Sequence, residues 1–297
     1  LVRFAGSELL ESSHETANEN DNFEVTEVSQ QGRTPVKIAV HGAAGRMGIR
    51  IMQLLREDAR TELVAALDRS GHPSIGHDVA ELIGQPSTGV VLSDSPDCLS
   101  GVQALIDFSA PGASLAIAEI CAKRGIPLVI GTTGLEPDQK DTLQELSDSI
   151  PLLVSPNVSR AVNVLMALVR QAARLLPDAD IEIMERHHKF KKDAPSGTAL
   201  RLAEIVAGQI GVGPEAFAHG REGITGDRPK GQIGLHALRT GDNPGEHTVV
   251  FGLMGECVEL SHRALNRDGF ARGSIDCAVW LAGRPPGWYT MNDVLGL

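Results

Sequence analysis

The sequence predicts an α/β fold in which a mainly parallel sheet, flanked by helices, is followed by an α+β region built on an open mixed or antiparallel sheet. Three observations lead there. Through about residue 158, short apolar runs alternate with segments of helical periodicity, which implies βαβ units. The 297 residues hold one Tyr, two Trp and seven Phe, so the core falls to aliphatic side chains, the usual filling of such sheets. In the later part, the last three strand-like runs are joined by turn-rich connections that suit antiparallel hairpins.

The elements follow in order. Residues 1–33 carry seven acids against Arg3 and Arg33, a balance of −5 within a total of −11, and show no apolar periodicity. Residues 1–34 therefore read as a disordered acidic tail, with order beginning near Pro35. A β-branched run at 36–40 stops at glycine, and Met47, Ile51, Leu54 and Leu55 then recur at helical spacing. Strands are expected at 63–67, 104–108, 127–130 and 152–154, with helices at 116–124 and 137–146 between them. Beyond Asn157, Leu165, Leu168, Val169, Ala172, Leu175 and Leu176 mark an amphipathic helix, 181–185 a strand, and Leu202, Ile205, Val206 and Ile210 another helix. Strands follow at 233–239, 246–251 and 258–263, joined at 240–245 and 254–256; helices at 270–281 and 291–297 could pack on either domain.

Composition excludes several classes. A net charge of −11 argues against a nucleic-acid binder, whose footprint would be basic. No run of about 18 apolar residues is present, so no membrane span is expected, and the first residues lack the basic and apolar regions of a signal peptide. Cys98, Cys121, Cys257 and Cys277 lie far apart, which fits free thiols in a cytoplasmic protein better than a disulfide scaffold.

Directly after the first strand comes Gly42-Ala43-Ala44-Gly45-Arg46-Met47-Gly48, a G-x-x-G-x-x-G loop opening a helix. Glycines there permit a tight turn and close backbone approach, so a pyrophosphate can sit on the free N–H groups of the helix start. This marks a Rossmann-like parallel-sheet dinucleotide-binding domain. Asp68, just past the second strand, stands where an acid accepts hydrogen bonds from the adenosine ribose, and the guanidinium of Arg69 suits a 2′-phosphate. Acid and base side by side imply NADH, NADPH or both. Two further strand ends, Gly131-Thr132-Thr133-Gly134 and Ser155-Pro156-Asn157-Val158, point at the same edge, where the nicotinamide belongs; as tight turns they would also need no ligand.

The segment Glu185-Arg186-His187-His188-Lys189-Phe190-Lys191-Lys192-Asp193-Ala194-Pro195-Ser196-Gly197-Thr198 gathers cations within an acidic chain. Ser196, Gly197 and Thr198 precede a helix, so hydroxyls and N–H groups form an anion cradle opposite the lysines: the outline of a dicarboxylate pocket. The same basic run would also serve as a solvated face. His187 and His188 lack a third ligand at zinc spacing, so no metal is expected.

Together, the 42–48 loop, the G-T-T-G turn and above all E-x-H-H-x-x-K-x-D-A-P-S-G-T-A at 185–199 closely resemble the 4-hydroxy-tetrahydrodipicolinate (dihydrodipicolinate) reductase family of lysine biosynthesis, from about Val36 to Leu295. The resemblance implies hydride transfer to C4 of a cyclic dicarboxylate with loss of water. It implies that His187 is the catalytic proton donor and acceptor and Lys191 a second donor, with His188, Ser196, Gly197 and Thr198 on the substrate carboxylates. The cofactor contacts it implies are Gly42, Ala43, Ala44, Gly45, Arg46, Met47, Asp68, Arg69, Gly131, Thr132, Thr133, Ser155, Pro156, Asn157 and Val158. It further implies an inserted substrate domain (159–268) within a cofactor domain formed by 35–158 and 269–297, and a homotetramer assembled through the second sheet. Chemistry agrees: hydride addition to a conjugated imine needs an acid, and histidine as a residue type titrates near pH 6.5. Asp68 departs from the longer Glu common in the family, and Val158 from an aromatic residue, which leaves cofactor preference open. Another NAD(P)-dependent dehydrogenase of an amino acid or sugar acid, or a non-catalytic nucleotide sensor, would share the first loop but leave the H-H-x-x-K and S-G-T residues unexplained.

Overall fold

The computed structural model describes residues 34–297; the acidic tail expected at 1–34 lies, but for its last residue, outside the described residues. Twelve strands and eight helices follow in order: β1 (Val36–His41), α1 (Arg46–Glu57), β2 (Thr61–Leu67), α2 (Ala80–Ile83), β3 (Leu92–Ser93), β4 (Ala104–Asp107), α3 (Pro111–Arg124), β5 (Leu128–Ile130), α4 (Pro137–Leu146), β6 (Pro151–Val154), α5 (Arg160–Leu175), β7 (Asp180–His187), α6 (Gly197–Ile210), β8 (Phe217–His219), β9 (Ile233–Arg239), β10 (Glu246–Leu253), β11 (Glu256–Arg263), α7 (Asp268–Leu281), β12 (Gly287–Tyr289) and α8 (Met291–Leu295).

The first sheet has seven strands in the order β12-β6-β5-β4-β1-β2-β3, and every pairing is parallel. Helices cover both faces. Ile51, Met52, Leu54 and Leu55 of α1 join Ala271, Ile275, Ala278 and Leu281 of α7 over one face. On the other, Ile117, Ala118 and Cys121 of α3 and Leu143 of α4 bury Leu105, Leu128, Ile130 and Leu152. Burial on both faces explains why these strands read as continuous apolar runs. The chain order reverses between β1 and β4, so the crevice at their carboxyl ends is where such a sheet takes a ligand.

The second sheet has five strands, β11-β10-β7-β9-β8. β7, β9 and β8 run parallel, whereas β10 is antiparallel to β7 and β11 to β10. Helices α5 and α6 cover one face, where Leu165, Val169, Leu202 and Val206 meet Ile181, Ile183, Val249 and Phe251. The opposite face keeps Met184 and Leu238 exposed.

Two expectations change here. The 240–245 connection does not close a hairpin, because β7 lies between β9 and β10 and the loop passes over its end. There Thr240 N–H donates to the His187 carbonyl (2.9 Å) and Lys189 N–H to that of Gly241 (3.1 Å). Turn residues fixed a change of direction and left the strand's partner undetermined. The C-terminal segment, expected as two helices, also contains β12, which pairs with β6 and extends the first sheet. Among the described residues no helix is long and apolar enough to cross a membrane.

Candidate active site

β1 delivers the chain to the crevice at Gly42, whose φ of +74° only glycine takes without strain. A Cβ there would stand 2.5 Å from the Phe108 carbonyl oxygen, and one on Gly48 2.2 Å from that of Gly42. Helix α1 begins after Gly45 with no side-chain cap, which leaves its first N–H groups for an anion. Ala43 N–H donates to Leu67 O (3.0 Å) and Ala44 N–H to Asp68 Oδ2 (2.8 Å), so the end of β2 braces the loop. Asp68 also accepts from Arg69 N–H at 2.8 Å, and the Arg69 side chain is exposed beside it. A turn so tight that Gly42 and Gly48 leave no room for a Cβ, an uncapped helix start and an acid at the second strand's end together fit a dinucleotide.

Beneath this crevice lies a residue that the sequence reading passed over. Asp107, the last residue of β4, is fully buried. Its carboxylate accepts from Ser109 Oγ (2.6 Å), Ser114 Oγ (2.5 Å) and Thr132 Oγ1 (2.8 Å), and lies 2.7 Å from His41 Nδ1. A buried carboxylate persists only with such partners, and these four tie the ends of β1, β4 and β5 to the start of α3. An acid ending an otherwise apolar strand at the switch point was the available signal. Thr132, expected among the cofactor contacts, thus turns its hydroxyl inward, whereas Thr133 is exposed at the same edge. Val158 is buried in the first core, so its side chain serves packing, and its carbonyl lies against Gly273 of α7. Asn157 is better placed: its Nδ2 donates to Thr198 Oγ1 (3.2 Å), joining the end of β6 to the start of α6.

His187 and Glu185 share one face of β7 because strand side chains alternate with period two. His187 Nδ1 lies 2.6 Å from Glu185 Oε2. Arg239, paired in register with His187 across β9, donates from Nη1 and Nη2 to the two Glu185 oxygens, both at 2.8 Å. Ser196 N–H donates to Glu185 Oε1 (3.0 Å). Burial opposes ionisation of Glu185, but the Arg239 and His187 hydrogen bonds and charges outweigh it and hold its carboxyl below the usual range. On β10, His247 faces inward, with its ring 5.3 Å from that of His187 and Nε2 3.1 Å from Ser196 Oγ. Burial first, then the neighbouring His187 and His262, push His247 down to about 3, so it stays neutral.

Ser196 caps α6, its Oγ accepting from Ala199 N–H at 3.2 Å. The side chain expected on a substrate carboxylate is therefore committed inside the protein. The groups left at the surface of the cradle are the N–H of Gly197 and Thr198, which have no intrahelical acceptor, and the Thr198 hydroxyl. His188 Nδ1 is buried without a protein partner. Lys191 Nζ donates to Asp193 Oδ1 (2.9 Å), an ion pair that holds the Asp193 carboxyl below its ordinary range. Among the described residues no three His, Cys, Asp or Glu side chains gather as metal ligands.

An uncapped helix start at a parallel-sheet switch point, with a second cradle tied through Asn157 to the end of β6 beside a buried histidine, is the build of a nicotinamide-dependent oxidoreductase that holds an anionic substrate. Family models for the N-terminal and C-terminal parts of dihydrodipicolinate reductase match residues 36–158 and 161–295. A 4-hydroxy-tetrahydrodipicolinate reductase from Anaeromyxobacter dehalogenans (strain 2CP-1) is 50% identical over 264 residues, covering 88% of this chain and 98% of its own. One from Rhodopirellula baltica is 46% identical over 272 residues, covering 89% and 97%. Among solved structures, dipicolinate-bound dihydrodipicolinate reductase from Paenisporosarcina sp. TG-14 shares the fold, with a TM-score of 0.70 at 24% identity over 86% of this chain and 98% of that one. This chain belongs to the dihydrodipicolinate reductase family.

Proposed function

We propose that this chain reduces 4-hydroxy-tetrahydrodipicolinate to tetrahydrodipicolinate in the diaminopimelate route to lysine, with NADH, NADPH or both. The carrying observation is the Asn157–Thr198 hydrogen bond, which sets the anion cradle against the carboxyl edge of the cofactor sheet. Residues 42–47, Asp68, Arg69, 131–133 and 155–158 are assigned to the cofactor, which supplies the hydride, here directed to C4 of the ring. The protein's own groups do the rest. The N–H groups of Gly197 and Thr198, the Thr198 hydroxyl and His188 hold a carboxylate. His187 gives a proton from Nε2 as electron density moves onto the ring, and Lys191, leaving Asp193, neutralises charge and offers a second proton from Nζ. Before this, the C4 hydroxyl leaves as water with a proton from the adjacent ring carbon, which gives the conjugated imine; hydride at C4 and one proton on the ring then complete the product.

We assign 35–158 with 269–297 to a cofactor domain and 159–268 to a substrate domain; the pairing of β12 with β6 and the packing of α7 on α1 support this. Closure about the two connections would shut water out. The exposed sheet face with Met184 and Leu238 supports assembly through it as a homotetramer, which the mass in solution checks. The deciding assay follows NADH or NADPH oxidation with the condensation product of aspartate semialdehyde and pyruvate, competed by pyridine-2,6-dicarboxylate. No oxidation above background would reject the reading and favour another dehydrogenase or a sensor.

A further inference from the structure

The His187 imidazole is held from one side by a carboxylate whose four acceptor positions are all taken. Glu185 Oε2 faces His187 Nδ1 and Arg239 Nη1, while Oε1 faces Arg239 Nη2 and Ser196 N–H. Every one of those neighbours is a donor when His187 carries its proton on Nδ1. Arg239 is itself anchored, Nη2 donating also to the Asp193 carbonyl at 2.5 Å. The opposite ring atom is in a different setting. Gly245 lies against Nε2, and a Cβ built on it would come within 2.9 Å of that atom. Glycine at that position keeps Nε2 clear of a side chain. The other charged or titratable groups near the ring are His247 of β10, neutral as described, and Lys191 and Asp193, paired with each other.

We infer that Glu185, clamped by Arg239 and the Ser196 amide, is the positioning residue of the site: it fixes His187 in the Nδ1–H tautomer and so makes Nε2 the atom that exchanges the proton with substrate. The hydrogen bond at one imidazole nitrogen decides the state of the other. Because the Ser196 amide opens the anion cradle, the same carboxylate also holds the imidazole in register with the groups that grip the substrate. Glu185 touches neither substrate nor cofactor; it acts through His187. This inference rests on the assignment of His187 as proton donor.

Glu185→Gln supplies the test, because its amide cannot serve four donors. With its oxygen toward His187, the NH2 group meets both Arg239 Nη2 and Ser196 N–H, two donor-against-donor contacts. Flipped, it meets only Arg239 Nη1 badly, and its NH2 can donate to His187 Nδ1 if the proton moves to Nε2. The second arrangement leaves fewer groups unsatisfied, so the variant should invert the tautomer. Two readouts are taken together on the full chain. One is 15N spectra of histidine-labelled protein, with His187→Asn assigning the resonance. The other is kcat and KM beside the dissociation constants of NADH and pyridine-2,6-dicarboxylate.

The expected result is neutral His187 protonated on Nδ1 in the unsubstituted protein and on Nε2 in Glu185→Gln. The variant's kcat should fall by about 10-fold, as for lost outer partners, up to about 10⁴-fold, as for an inverted histidine tautomer. Binding of NADH should be kept, and Glu185→Asp should recover part of kcat. If Glu185→Gln fails to fold, the unsubstituted protein's spectrum still decides: Nε2–H in neutral His187 overturns the proposal. An Nδ1–H tautomer retained in Glu185→Gln overturns it as well. An inverted tautomer with unchanged turnover overturns instead the assignment of His187 beneath it, in which case His187→Ala would also turn over normally.

Discussion

Taking the protein from pH 7 to pH 5 should remove about 2 kcal/mol of stability through His247 alone. That histidine is 4% exposed, wedged between the rings of His187 and His262 with Nε2 on Ser196 Oγ. Burial, then the two histidines, lower it from 6.5 to about 3. The unfolded chain therefore binds a proton as the pH falls below about 6.5, while the folded protein does not until about 3. Its stability contribution is intact above that window and drains across it at about 1.36 kcal/mol per pH unit, which gives about 2 kcal/mol by pH 5. The carboxylates whose pKa is lowered lose their contributions below this range. Glu182, where the hydrogen bonds of Arg221, His236 and Arg228 outweigh burial and hold it at about 2, loses its contribution only below its ordinary value of 4.5. His262, lowered by burial, acts in the same sense as His247. Urea unfolding followed by far-UV circular dichroism at pH 7, 6 and 5, at fixed ionic strength and protomer concentration, measures the slope. His247→Gln should start less stable at pH 7 yet lose about 2 kcal/mol less on the way to pH 5. Parallel losses in the two proteins would refute the reasoning.

The other predictions concern the cofactor and the chemistry. His187→Ala should cut kcat by about 10²–10⁴-fold while cofactor affinity stays within error, and unchanged turnover would remove it from the mechanism. Arg69→Ala should weaken NADPH more than NADH in direct binding measurements; equal losses would reject a 2′-phosphate contact. Gly48→Ala forces a methyl group to within 2.2 Å of the Gly42 carbonyl oxygen and 2.6 Å of Ala43 Cα, all backbone. It should cost about 1–3 kcal/mol and open the pyrophosphate cradle, so an unaltered melting midpoint with full NADH affinity would contradict the packing described for the loop.

The first sheet was legible because strands buried on both faces must be apolar throughout and because glycine punctuates their ends. β3 and β12 were not, since Leu92–Ser93 offers a single apolar residue and Gly287–Tyr289 begins on glycine, so neither shows the aliphatic run that marks the equally short β5. In the site, the contiguous stretch from Glu185 to Thr198 could be read because a strand end and a helix cap are local features. Even there, the sequence assigned roles to exposed chemistry that the packing reallocates, as with the Ser196 and Thr132 hydroxyls. Asp107, Arg239 and His247 could not be read in the same way, since each has partners distant in sequence that only the assembled sheets bring to it. A faint signal existed for His247, a lone polar residue on the inward stripe it shares with Val249 and Phe251.

The misread connection at 240–245 shows what strand order adds. Had β9 and β10 formed a hairpin, Arg239 and Gly245 would face each other across one turn, remote from His187. With β7 between them, the residue that ends β9 and the residue that precedes β10 arrive on either flank of the strand that ends in His187. One flank brings the guanidinium that clamps Glu185; the other brings the glycine that leaves Nε2 clear. The two demands on a proton-donating imidazole, one nitrogen fixed and the other clear of a side chain, are thus met by the insertion of β7 between β9 and β10. Rearranging the same five strands into a meander would keep every residue and lose both.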